Sequence, residues 1–440
     1  MIRTLWLILP LALAMRAQTG MVLQLTMKHA VELALAEEGS AKMQLAREFV
    51  VQAQSRSTQA RSALLPKLDV TADAQNMTRN LAALGLTTST LGFPVPSRVG
   101  PISVSDARAG IGQAVLDLGS VYRHRASKAE VAGTQSDADS VAEQVAADVA
   151  QVYLAVLRTT ARVEAVSATL ELAKSVQKAA ENHRRAGNGT GLEVTRASLR
   201  VADERQKLLQ AQVEKRSAER LLLRATGLRL DVALVLTDRL EKPPEVPLAA
   251  DAFSGALRCR PDWKAQEARV QRAGLAVQSA RAESVPSVRA FADYGATGSS
   301  PWKALATYTA GVSVQFSVYD GGRRRSRAVE AASQERQEKA RASDLRQQIE
   351  FEIEAASDQL HSVNEQLAVT EMALTTAQQT LEQVERRYEE GVVDHVTVAE
   401  AQADLARARD SKTAALYASN VAWVDFHRAA GRLRAEIASH

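Results

Sequence analysis

A seam of aliphatic and small residues runs without a slip through the second half of the chain. It comprises Leu345, Ile349, Ile353, Ala356, Leu360, Val363, Leu367, Thr370, Leu374, Ala377, Leu381, Val384 and Tyr388. After the first step the spacing alternates four and three, the heptad period that holds one helix face against a partner helix. A second seam comprises Val141, Val145, Val149, Val152, Val156, Thr159, Val163, Val166, Leu170, Ala173, Gln177 and Ala180. Each member lies 204 positions before its counterpart (345 against 141), and only Gln177 is out of character. Both runs end at a glycine, Gly187 and Gly391. They resume beyond it at Val194, Ala197, Val201, Leu208 and Ala211, and at Val398, Ala401, Leu405, Lys412 and Ala415. The chain is a duplicated helical hairpin. An arm from about Gly119 to Ala186, at ~1.5 Å per residue, is roughly 100 Å long, more than any compact core needs.

Repeats override the prior that 440 residues fold as several globular domains. Apolar residues reach 46% but aromatics only 4%, a composition that suits closely packed helices better than a bulky core. A formal charge of +4, with 51 acidic side chains, gives nucleic acid binding no footing. The single cysteine, Cys259, excludes an intrachain disulfide and a multi-cysteine metal site.

The N-terminus has the order of an export signal: Arg3, an apolar run from Leu5 to Ala14, then Ala12-Leu13-Ala14 or Met15-Arg16-Ala17 as cleavage signal. Residues 1–17 are expected to be removed, and with no cysteine near the cleavage point a lipid anchor is not expected. The apolar run is too short to span a bilayer. If the mature chain enters a membrane, it must do so as strands.

Beyond the signal, Leu25 to Ala63 reads as one helix. Leu68, Val70, Ala72 and Ala74 then alternate with polar residues as a strand. Positions 77–103 read as a long loop, and a weaker strand runs from Val104 to Leu116. The second half repeats this order. A helix from Ala256 to about Ser284 precedes a strand at Val288, Ala290, Ala292 and Tyr294, with Phe291 intruding on its polar face. After a loop at Thr297 to Ala306, the cleanest alternation in the chain runs from Tyr308 to Tyr319. Thr226 to Ala250, holding Pro243, Pro244 and Pro247, reads as a linker. The expected division is a first repeat at 18–242, a proline-rich linker at 243–250 and a second repeat at 251–440. Four strands cannot close a barrel, and open edges are not tolerated in lipid. Membrane strands here therefore demand an oligomer.

These residues carry a resemblance. Ala60-Arg61-Ser62-Ala63-Leu64-Leu65-Pro66, Arg260-Pro261-Asp262, Tyr319-Asp320-Gly321-Gly322 and the turns Arg185 to Val194 and Tyr388 to Gly391 resemble the outer membrane efflux protein family, the TolC type. The resemblance covers nearly the whole mature chain, in both halves and in order. It implies a mainly α protein with membrane β: a homotrimeric barrel with four strands per protomer, continued by a long helical barrel. It also implies an outer-membrane exit duct of a tripartite efflux or type I secretion system, extending into the periplasm. The implied partners are a periplasmic adaptor, an inner-membrane pump and outer-membrane lipid, with no cofactor. The tips, Gly187, Asn188, Gly189 and Thr190 with Gly391, Val392, Val393 and Asp394, would then face the adaptor. Acidic residues six and nine positions after the second tip glycine line the periplasmic mouth in that family, and a tyrosine three before it helps close it. Here those positions are Thr397, Glu400 and Tyr388, with Glu193 matching Thr397 in the first copy. Thr397 departs from the pattern and would leave a single acidic ring.

Read as residues alone, Tyr388 is equally a packing position of the seam and Glu400 a solvated surface residue. Gly187-Asn188-Gly189-Thr190-Gly191 follows a helix instead of a strand and lacks the adjoining lysine of a phosphate loop. His183 and His395 have no partner motif for a metal. The run Arg323-Arg324-Arg325-Ser326-Arg327, echoed by Arg123-His124-Arg125, suits either anionic headgroups or a solvated helix face. No paired carboxylates, nucleophile elbow or metal spacing point to an enzyme. The rival reading is an exported periplasmic coiled-coil structural or adaptor protein, which has no use for strands between its helices.

Overall fold

The computed structural model describes residues 22–187, 189–244, 252–390, 392–393 and 395–439. The expected signal at 1–17, the linker residues 245–250, and Asn188, Gly391 and Asp394 of the tips lie outside them.

The chain opens with strand β1 (Val22–Leu25) and helices α1 (Met27–Leu35) and α2 (Ala41–Ser62). Strand β2 (Lys67–Asn80), a short helix α3 (Thr88–Leu91) and strand β3 (Arg98–Leu116) lead into α4 (Leu118–Arg185), and α5 (Gly191–Thr226) returns from its turn. After β4 (Ala233–Leu236) come α6 (Ala252–Cys259), α7 (Pro261–Ala282), β5 (Ser287–Gly298) and β6 (Leu305–Gln315). Helices α8 (Arg323–Glu389), α9 (His395–Ala429) and α10 (Leu433–Ser439) finish the chain. Two strands, a long helix and a returning helix thus occur twice in order. At 68 and 67 residues, α4 and α8 are each roughly 100 Å long.

The seam explains these lengths. On α8, Ile349, Ile353, Leu360, Val363 and Leu367 are buried while their flanking residues are mostly exposed. Each aliphatic side chain withdrawn from water contributes about 1.5–3 kcal/mol. The gain recurs every turn or so, which sustains a helix far beyond the usual few turns. Gln177 fits for a polar reason: its Nε2 donates to Glu181 Oε1 and to Ser198 Oγ on α5, both at 3.2 Å.

Two compact units divide the chain. One holds the residues up to Leu45, Val141–Arg260 and Ile349 onward; the other holds Ala46–Ser140 and Pro261–Gln348. The core of the first gathers Leu25, Val31, Val145, Val149, Tyr153, Leu154, Leu222, Trp423, Val424 and Leu433. The buried Tyr153 hydroxyl lies 2.9 Å from the Leu25 carbonyl oxygen and 2.8 Å from Asp238 Oδ2, which also accepts from Met27 N. Arg260, 7% exposed, donates through Nη1 to Glu352 Oε2 at 2.7 Å and to the Ala429 carbonyl at 3.0 Å. Gly431 turns the chain beside it with φ +69, and a Cβ there would meet the Arg260 backbone at 2.9–3.0 Å. The Arg-Pro pair therefore ends α6, starts α7 and ties down the end of α9. In the second unit, small residues set the spacing: a Cβ on Gly133 of α4 would come within 3.3 Å of Ala268 of α7. Close by, Arg269 Nη2 pairs with both oxygens of Asp137, at 2.6 and 2.8 Å.

Several sequence expectations need correction. The single helix at 25–63 is two, because the chain turns at Gly39 and restarts at Ser40, whose oxygens accept from Met43 N. The helix expected from Ala256 begins at Ala252 and breaks before Pro261, which lacks the N–H to continue it. The loop at 77–103 shrinks to 81–97, since β2 and β3 pair out to Asn80 and Arg98 across a bulge between Met77 and Arg79. The linker hides β4, which pairs parallel with β1, Val22 to Ala233 through Leu25 to Leu236. Finally, β6 starts earlier, at Leu305, and stops at Gln315, leaving Phe316 to Tyr319 outside it.

Breaking a buried ion pair costs about 3–5 kcal/mol. Glu352 keeps some exposure, so Arg260→Ala is expected to lose about 3 kcal/mol, toward the low end of that range. Thermal unfolding in detergent measures this, and a variant as stable as the parent would show that the pair holds nothing.

Candidate functional site

The four-stranded sheet has the order β2-β3-β5-β6, each neighbour antiparallel. Between its bulges the register puts odd-numbered residues of β2, β5 and β6 on one face with even-numbered residues of β3. That face carries Asp69, Thr71, Asp73, Asp106, Arg108, Arg289, Asp293, Thr309, Ser313 and Gln315. The other carries Leu68, Val70, Ala107, Ala109, Ile111, Val288, Ala292, Tyr294, Tyr308, Val312 and Val314. The apolar face is largely exposed in a single chain, Val70 being 77% exposed, Tyr308 79% and Val314 67%, while Asp106, Arg108 and Asp293 on the polar face are half-buried. On the polar face Arg108 is held between two carboxylates, Nε to Asp106 Oδ2 at 2.7 Å and Nη1 to Asp293 Oδ1 at 2.8 Å. Phe291, the intruder in the alternation, is paired with Gly112 on one side and Gly311 on the other. A Cβ on Gly311 would lie 3.0 Å from the Phe291 ring, so Gly311 makes room for it, whereas a Cβ on Gly112 would meet the Arg289 guanidinium at 2.8 Å. Only the pairing partners, some 20 to 180 residues away, reveal this.

The same cap joins sheet to helix in both repeats. Asp117 Oδ1 accepts from Ser120 N at 3.0 Å and Oδ2 from the Ser120 hydroxyl; Asp320 Oδ2 accepts from Arg324 N at 3.1 Å and Nε at 2.9 Å. Burial alone would raise both carboxyls. These hydrogen bonds, with the Arg123 and Arg324 charges, instead hold them below the usual carboxylate range. A carboxylate at a helix N-terminus also meets the positive end of the helix dipole.

At the first tip Gly187 takes φ +79 and a Cβ there would meet nothing within 4 Å. Thr190 caps α5: its hydroxyl accepts from Glu193 N, while Glu193 Oε2 accepts from Thr190 N at 3.3 Å. Gly189 packs against His183 and the Arg184 backbone. At the second tip Val392 N closes the helix on Arg387 O at 2.9 Å, and its side chain is exposed; Val393 is half-buried. Tyr388 and Glu400 are exposed and Thr397 half-buried. Glu193 thus caps α5 in addition to any place at the mouth, and its spacing from Thr190 is the sequence signal for that role.

Two helices carry apolar residues on two faces. On α5 the seam Val194, Ala197, Val201, Leu208 and Ala211 lies roughly opposite the exposed Leu192, Leu199, Leu209, Val213 and Leu221, at ~100° per residue. On α8 the exposed Val329, Phe351, Val369 and Met372 lie roughly opposite the seam. Among the described residues no helix is long and apolar enough to cross a membrane, and no group of three or more His, Cys, Asp and Glu is placed to hold a metal.

The model of the outer membrane efflux protein family matches residues 33–228 and 252–432. The pyoverdine export outer membrane protein OpmQ of Pseudomonas aeruginosa is 26% identical over 393 residues, 87% of this chain and 80% of OpmQ. Among solved structures, a membrane protein from Pseudomonas aeruginosa superposes with a TM-score of 0.79 at 18% identity, covering 92% of this chain and 93% of that one. The Campylobacter jejuni CmeC outer membrane channel superposes with a TM-score of 0.78 at 17% identity, covering 92% and 86%. These likenesses bear on the fold.

Proposed function

Because the chain belongs to the outer membrane efflux protein family, we propose that it is a passive exit duct through the outer membrane, completed by two further copies of itself. The carrying observation is the open sheet with one apolar and one polar face. Its strands of 11 to 19 residues reach or exceed the ~9–11 that a tilted membrane strand needs. The apolar face meets lipid, and the polar face, with Arg108 between Asp106 and Asp293, lines the lumen. Three protomers, each lending four strands, close the barrel. Opposed apolar faces on α5 and α8 support the same ring, since a helix in a wall one helix thick touches neighbours on both sides.

The two repeats span 18–242 and 251–440, joined by 243–250 and preceded by a signal at 1–17. The tips at Gly187–Thr190 and at 391–394 dock a periplasmic adaptor that links the duct to an inner-membrane pump. Tyr388, Thr397, Glu400 and Glu193 stand around the periplasmic mouth. An exported rod or adaptor has no use for the amphipathic sheet.

Detergent extraction of the outer membrane is expected to yield a trimer. A soluble, fully helical monomer in the periplasmic fraction sinks the duct and favours the rod. Arginine at Val314 should cost ~2–4 kcal/mol near the bilayer midplane, whereas arginine at Gln315 should be tolerated. Equal tolerance, measured by folding into vesicles, counts against the lipid-facing assignment. The turn at Gly187 leaves room for a side chain, so a substitution pays only the strain of positive φ, about 1–2 kcal/mol. Gly187→Trp is expected to insert and trimerise yet lose export; export at the parental level would remove the tip from the docking surface.

A further inference from the structure

The two ends of the sheet differ in charge. At one end the register sets Lys67 beside Gly112, Leu116 beside Val288 and Ser287 beside Gln315. There α2, α4, α7 and α8 all join the strands. Arg61, Arg123, Arg125, Arg323, Arg325 and Arg327 crowd the nearest two turns of α2, α4 and α8. At the other end the connection 81–97 carries no charged side chain but is flanked by Arg79 and Arg98, and 299–304 carries only Lys303.

Some of these guanidinium groups are engaged. Arg327 Nη1 lies 3.2 Å from Glu283 Oε1, and Arg123 Nη2 lies 3.7 Å from Asp117 Oδ2. Others are not: among the described residues Arg61 and Arg325 meet no carboxylate within 4.0 Å, and Arg125 lies over the Tyr122 ring at 5.7 Å. Just before Arg323 the chain exposes Val318 and Tyr319, 85% and 87% exposed. Apolar side chains followed directly by guanidinium groups match the boundary between acyl chains and phosphates, and the guanidinium fork suits phosphate oxygens.

We propose that this collar binds the phosphodiester head group of an anionic phospholipid in the inner leaflet. The inference rests on the duct reading, which places the helix-bearing end of the sheet on the periplasmic side. Arg61, Arg125 and Arg325 are the binding groups, since their charge is not spent on a carboxylate of the chain. The opposite end has three basic side chains, Arg79, Arg98 and Lys303, against six arginines in the collar, so the preference favours the helix-bearing end.

The test reconstitutes the full-length protein in nanodiscs of phosphatidylcholine mixed with phosphatidylglycerol, then measures the lipid retained after detergent washing by extraction and mass spectrometry. The parent is expected to enrich phosphatidylglycerol over the supplied ratio. The triple variant Arg61→Gln, Arg125→Gln, Arg325→Gln is expected to lower that enrichment roughly fivefold or more. A charge-matched control, Lys178→Gln, Arg196→Gln, Arg205→Gln, is expected to keep it. Inorganic phosphate in excess should not displace the lipid; displacement would show a site for free phosphate and overturn the proposal. Protein that enters the discs without enrichment, or with enrichment that the triple variant retains, overturns the collar alone. Protein that never enters the discs overturns the duct reading and the collar with it.

Discussion

An antiparallel sheet with two open edges and an exposed apolar face is the constraint that the rest of this protein answers. The outer strands, β2 and β6, present unpaired N–H and C=O groups along 14 and 11 residues. In hydrocarbon each such group costs several kcal/mol. A single copy cannot satisfy them; in the proposed duct β6 of one copy lies against β2 of the next, a head-to-tail contact whose rotation must close to make a ring. The long helices obey the same geometry. In the duct reading a helix of the wall has a neighbour on each of two sides. That accounts for an apolar stripe on each side of α5 and of α8, and for alanine and glycine where helices approach most closely.

The parts legible in the sequence were those governed by local periodicity. Heptad spacing marked α4, α5, α8 and α9 but not their full lengths: the seams begin at Val141 and Leu345, more than twenty residues into α4 and α8, and stop at Ala211 and Ala415, well before α5 and α9 end. Period-two alternation found all four strands, but not their lengths. Residues 77–80 and 98–103 lack a clear pattern and are strands only because they pair with each other beyond a bulge. The β1–β4 pair was invisible for a related reason. Four residues, Ala233–Leu236, carry too little signal, and their partner lies more than 200 positions away. At the tips the Thr190–Glu193 capping box could have been read from its three-residue spacing, but the resemblance marked Glu193 only as a mouth residue.

The polar exceptions in the seam follow one rule. Gln177 is tolerated because its amide finds Ser198 and Glu181. Lys412, where the first copy has Leu208, keeps its ammonium 3.3 Å from Glu371 Oε1. Glu204 falls in step with Val201 and Leu208 and is 3% exposed, held by Arg200 at 3.2 Å and Lys207 at 2.9 Å. All three lie in the arms that carry the tips. In the tightly packed stretch of α4 between Ala142 and Leu157, the corresponding seam positions Val145, Val149 and Val156 are aliphatic and at most 2% exposed. A polar group there would lose water on every side and need partners that the aliphatic surroundings do not supply. Toward the tips only one face of each helix is covered, so long polar side chains reach water or a partner and the cost falls. The duplicated halves therefore hold their pattern most strictly where burial is deepest, and diverge chemically where the helices are most exposed and a partner of different chemistry can be met.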